Sequence, residues 1–137
     1  MSTTTARKTL NRARAELHQA RRGDEEALRQ AAEKAWRAAR EAVYAVLDVV
    51  GERPKESTLG HSTVSSLEAK YLRRPRGRAQ PLADGYLHGL QLHGPCFYDG
   101  QCPTKGELEG DFDRIEGLIE QAEYDVYALG RAPKRRR

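Results

Sequence analysis

Residues 24–50, DEEALRQAAEKAWRAAREAVYAVLDVV, decide the fold. Leu28, Ala32, Ala35, Ala39, Val43, Val46 and Val50 recur at steps of three and four, which lines them along one face of a helix. Trp36 and Leu47 widen that face. Asp24 is a good N-cap, and Glu25 and Glu26 suit the positive end of the helix dipole. Gly51 ends the pattern. The small residues Ala31, Ala32, Ala35, Ala38, Ala39 and Ala42 let other helices approach closely, so this rod belongs inside a bundle.

Its partners follow outward along the chain. Leu108, Phe112, Ile115, Ile119, Ala122, Val126 and Leu129 repeat at the same steps after Thr104, whose hydroxyl and Glu107 predict a capping box. Tyr124 and Tyr127 flank that stripe. Residues 4–22 carry a narrower stripe of Leu10, Ala13 and Leu17, with Arg21 and Arg22 near the negative helix end and Gly23 as its C-cap. Two shorter segments, 61–72 (Val64, Leu67, Tyr71) and 82–93 (Leu82, Tyr86, Leu90), complete the set, and residues 94–103 read as a turn with aromatic anchors. Nothing alternates with period two. The expectation is an all-α, four- to five-helix bundle over residues 1–130, followed by a disordered basic tail at 131–137.

The 137 residues fit one domain, with 38% hydrophobic and 32% charged residues. Such a thin, alanine-rich core favours further burial in a homodimer. No apolar run approaches the roughly 20 residues that span a bilayer, and the polar start, Met1 to Leu10, has no secretory h-region. A cytoplasmic protein with reduced Cys96 and Cys102 is therefore expected. The net charge of +4 is unevenly spread: residues 1–22 carry +5, residues 73–78 carry +4, the tail carries +5, and residues 99–125 carry −7. The basic segments suit phosphate, or the acidic helix of a second copy.

Three stretches look familiar. They are Gly23-Asp24 with Ala31-Ala32-Glu33-Lys34-Ala35-Trp36-Arg37-Ala38-Ala39, then Arg53-Pro54 leading to His61, then Leu92-His93 with Phe97-Tyr98-Asp99. In this order, over about residues 10–128, they resemble the PaREP family of small archaeal proteins, HEPN-like helical bundles. The resemblance implies dimerisation and either ribonuclease activity or a non-catalytic role in binding RNA or a protein. HEPN nucleases pair an Arg and a His separated by four to six residues at the dimer seam. Before His93 those positions hold Tyr86, Leu87 and His88; Arg14 to His18 is one residue short, and Arg53 to His61 is one too long. On this count the Arg-x(4–6)-His motif is not present and is at best replaced by His88-x4-His93, which leaves catalysis open and favours a non-catalytic module.

Several residues carry the candidate chemistry. His88 and His93 suit acid–base work without a metal, one deprotonating a ribose 2′-hydroxyl and the other protonating the leaving oxygen. They sit about 140° apart on a continuous helix, so a shared face requires the helix to end between them; otherwise His93 caps a helix terminus and His88 is solvated. With Cys96 and Cys102 the two histidines have zinc-type ligands but no standard finger spacing, so no metal or other cofactor is expected. Trp36 and Tyr98 are the dimer or pocket candidates, with plain core packing the alternative for Trp36. Tyr98 and Tyr124 offer faces for stacking bases. Arg73, Arg74, Arg76, Arg78, Lys134, Arg135, Arg136 and Arg137 are the phosphate-binding candidates, with no aromatic interleaved to read a base.

Overall fold

The computed structural model describes residues 2–21, 23–52, 59–72 and 81–131. Helix α1 spans Thr3–Gln19, α2 Glu25–Val50, α3 His61–Tyr71, α4 Pro81–Gln91 and α5 Lys105–Arg131. Among the described residues there is no strand. The all-α bundle is therefore as expected. Val43 is 2% exposed and Ile119 fully buried, so the two long helices do turn their apolar sides inward.

Local signals explain most helix ends. Asp24 accepts from the Ala27 N–H (3.1 Å), and Gly51 closes α2 in the left-handed region at φ 77°. Thr104 and Glu107 form the reciprocal box, Glu107 N–H to Thr104 Oγ1 at 3.2 Å and Thr104 N–H to Glu107 Oε1 at 3.4 Å. Helix α1 stops at Gln19, earlier than expected, and Gly23 lies beyond its end. The reason is tertiary. Lys105 Nζ donates to the carbonyls of His18 (3.0 Å) and Ala20 (3.4 Å), so the first residue of α5 satisfies the end of α1.

The larger departure lies at residues 92–98. Instead of a turn, α4 continues into a π-helical segment, Leu92–Tyr98, with Pro95 inside it. Proline has no N–H to donate and its ring crowds the carbonyl four residues back. Here the chain widens to the i→i+5 register, and the Asp99 N–H reaches the Gly94 carbonyl at 3.2 Å. Beyond it, Cys96 and Cys102 are joined as a disulfide, which corrects the expectation of two reduced thiols.

Cross-helix contacts set the directions. Glu16 of α1 pairs with Lys34 of α2, Arg29 of α2 reaches Phe97, and Glu33 reaches His93. Helices α1 and α4 thus run antiparallel to α2 and α5. On α4, Gly85 and Gly89 set the spacing. A Cβ at Gly85 would lie 2.6 Å from the Leu118 Cβ, and one at Gly89 would lie 2.9 Å from Cε3 of Trp36. The basic α1 meets the acidic α5 within one chain. Arg7 donates to Glu123 through Nε (3.1 Å) and Nη2 (2.6 Å), and Arg14 bonds Asp113 (2.9 Å) and Glu116 (3.1 Å). This pairing takes up charge that the sequence offered equally to a second copy.

Two outcomes follow. Gly85→Ala should destabilise the protein by about 1–3 kcal/mol through overpacking, although alanine favours an open helix position by about 1 kcal/mol. Gly110→Ala, where an added Cβ meets nothing within 4 Å, should stabilise it; urea denaturation compares them. The Arg7 hydrogen bonds hold the Glu123 carboxyl below its ordinary value of 4.5, so their contribution is present above that pH and is lost as pH falls through the lower folded value. With both side chains about a third exposed, that contribution is about 1 kcal/mol or less. Thermal melts across the acid range should show a shallower decline for Glu123→Gln than for the unmodified chain.

Candidate functional site

Two of the quoted stretches meet where α2 faces the π segment. Trp36 is 5% exposed, its ring 5.1 Å from Tyr86 and stacked on His93 at 5.2 Å. His93 in turn stands edge-on to Tyr98 at 5.0 Å, and Tyr98 meets Phe97 at 5.1 Å. A row of rings therefore runs from the core, at Tyr86 and Trp36, out to Tyr98, which is 66% exposed. Gly89 makes room for it, because any side chain there would strike Trp36.

The polar partners fix this row in place. His93 Nδ1 lies 2.9 Å from Glu33 Oε2, whose side chain is 13% exposed. An ionised carboxylate only accepts, so Nδ1 is the donor of this pair whenever Glu33 is ionised. Arg29, one turn before Glu33, donates Nε and Nη2 to the Phe97 carbonyl (2.9 and 2.5 Å) and lies 5.9 Å over the Phe97 ring. That carbonyl is free to accept because the Gln101 N–H goes instead to Pro95 (2.8 Å). The widened register thus hands one carbonyl to Arg29, and the arginine pins the segment that carries Tyr98. Arg37, one turn beyond Glu33 on the same ridge of α2, is exposed.

His88 does not join this group. Its Nδ1 lies 3.1 Å from Oδ1 of Asp111 on α5. Each histidine is thus bound to a carboxylate on a different helix, and the structure does not turn the two rings toward a common point. Cys96 and Cys102 are bonded to each other, and no group of three or more metal-ligating side chains occurs among the described residues. Tyr124 is 65% and Tyr127 60% exposed on α5. Arg73, Arg74, Arg76, Arg78 and the tail Lys134–Arg137 lie outside the described residues. The helix ends they adjoin, the start of α4 and the end of α5, are at the opposite end of the bundle from Tyr98. His93 is 12 residues beyond Pro81, about 18 Å of helix.

Reading the sequence missed Glu33 and Arg29 as working parts, though Glu33 and Trp36 sit three apart on one helical face, which was signal enough. It also missed an arginine–histidine spacing elsewhere. Arg12 and His18 are separated by five residues, within the four-to-six window, and both are exposed on α1. Six positions of helix place them about 120° apart, and the Arg14 between them is engaged with α5.

A model of the archaeal PaREP1/PaREP8 family matches residues 6–109, and the chain belongs to that family. No curated protein and no solved structure matches it. No helix among the described residues is long and apolar enough to cross a membrane.

The burial difference along the aromatic row generates a paired expectation. Trp36→Ala should cost about 3–5 kcal/mol of stability, whereas Tyr98→Ala, at the exposed end, should change stability by about 0.5 kcal/mol or less. Equilibrium denaturation followed by far-ultraviolet circular dichroism distinguishes the two.

Proposed function

We propose that this member of the PaREP1/PaREP8 family is a non-catalytic, HEPN-like module that binds single-stranded RNA. The observation that carries the proposal is the row Trp36–His93–Tyr98, buried at one end and open at the other. A base stacks on an aromatic face whatever its identity, and each such contact is worth about 1–3 kcal/mol. Tyr98 supplies that face, while Trp36 and Glu33 hold His93 behind it. Arg37, one helical turn beyond Glu33, is available for a phosphate, and the basic residues 73–78 and 131–137 add sequence-independent attraction, strongest at low salt. A homodimer, suggested by the thin core, would cover Tyr124 and Tyr127.

A ribonuclease working through His93 and His88 is the competing reading. The carboxylate behind each imidazole favours proton transfer, but the two rings address different helices. Binding of a labelled polyuridine, followed by anisotropy, and its integrity on a gel in EDTA decide between them. Tyr98→Ala should weaken binding about fivefold or more, and truncation after Gly130 should reduce the salt dependence without altering the effect of Tyr98→Ala. The RNA should remain intact. Cleavage that disappears in His93→Ala would establish the enzyme instead, and no binding at low salt would remove the RNA reading. Sedimentation at increasing concentration, with Tyr124→Lys as the control, reads the dimer.

A further inference from the structure

We propose that the Cys96–Cys102 bond is a thiol–disulfide exchange site for a dithiol reductant, and that its redox state sets whether Tyr98 is held against His93 and Trp36. Only the consequence for RNA rests on the binding role above. The exchange and its effect on the aromatic row stand without it.

The placement of the two sulfurs carries the inference. Cys96 is fully buried in the π segment, and Cys102 is partly exposed in the strap that leads to α5. Between them lie Phe97-Tyr98-Asp99-Gly100-Gln101, and Gly100, at φ 71°, lets the chain double back. The disulfide therefore closes a short ring that contains the most exposed member of the row. Tyr98 has little burial of its own to keep it in place. The ring is also restrained by the Arg29 bonds to the Phe97 carbonyl and by backbone bonds that include Asp99 to Gly94, Gly100 to Cys96 and Gln101 to Pro95.

Access fixes the direction of exchange. A thiolate of the reductant attacks the Cys102 sulfur, forming a mixed disulfide as the Cys96 sulfur leaves and takes up a proton. The reductant's second thiolate then displaces Cys102, which is protonated in turn. The reductant leaves as its own disulfide, and the protein has gained two electrons and two protons. The ring opens, its two ends separate, and Tyr98 moves away from His93.

Trp36, the sole tryptophan, makes the change visible. The full chain is equilibrated across ratios of reduced to oxidised dithiothreitol, quenched with iodoacetamide and weighed, while Trp36 emission and far-ultraviolet circular dichroism are recorded. The expected result is that two alkylations appear together in one two-electron transition. Trp36 emission should shift to longer wavelength along the same curve, with helicity retained. Cys102→Ser should show the reduced emission and ignore the reductant. Polyuridine affinity should fall about fivefold or more on reduction. Polyuridine bound by neither form, with emission still following the thiol titration, would support the exchange site and remove the RNA role alone. Free thiols under oxidising ratios, emission that ignores the transition, or loss of helix on reduction would each overturn the proposal, the last by making the bond a structural staple.

Discussion

Trp36 meets α4 at a glycine, and that contact sets the spacing on which the aromatic site depends. An indole against a bare backbone lets α4 lie close to α2. The alanines of α2 allow the same approach around the rest of the helix, and Gly85 does so where α4 meets Leu118. At native packing density an added methyl has nowhere to go, so the two glycines fix where α4, and hence the π segment continuing from it, must lie. His93 is carried into stacking distance of Trp36 because the helix has already been pulled in four residues earlier. The same indole is therefore a core side chain on one face and the floor of the candidate site on the other.

Pro95 then converts that position into a site. An uninterrupted α-helix would satisfy its own carbonyls and leave Arg29 with solvent. The wider turn forced around the proline leaves the Phe97 carbonyl for Arg29, and the guanidinium also lies over the Phe97 ring. A departure from regular helix is stable here because the groups it frees are matched from α2, at the positions one turn apart that hold Arg29 and Glu33. Electrostatics at the opposite side of the bundle work in the same local manner. Glu123, Asp113 and Glu116 of α5 are matched by Arg7 and Arg14, so part of the contrast in charge along the chain is internal wiring between α1 and α5.

The helices were legible in the sequence because their signals are local. Three- and four-residue spacing, Asp24, Gly51 and the Thr104–Glu107 pair each act within a turn or two. What was not legible depends on partners far along the chain. The end of α1 is set by Lys105, more than eighty residues away, and the π segment persists because Arg29 donates to its stray carbonyl. Gly94-Pro95 reads as a helix stop when taken alone. The disulfide was hidden for a different reason. Composition argues about compartment, whereas pairing depends on the chain doubling back at Gly100. At the site, Trp36, His93 and Tyr98 were identifiable as residues, but their convergence required the antiparallel pairing of α2 with α4.

The bundle's directions also separate two kinds of chemistry. The aromatic row sits where α2 begins and α5 begins. The basic segments join the frame at the other end, where α4 begins and α5 finishes. A compact ligand would be read by one end only, and a single nucleotide would gain nothing from the distant arginines. A polymer is different. Under the proposed binding role, an extended strand with a base on Tyr98 would combine a short-range stacking contribution with a long-range, salt-sensitive one from the basic segments. That division is a physical reason to favour a strand over a small molecule, and it makes the contributions of the two ends separable.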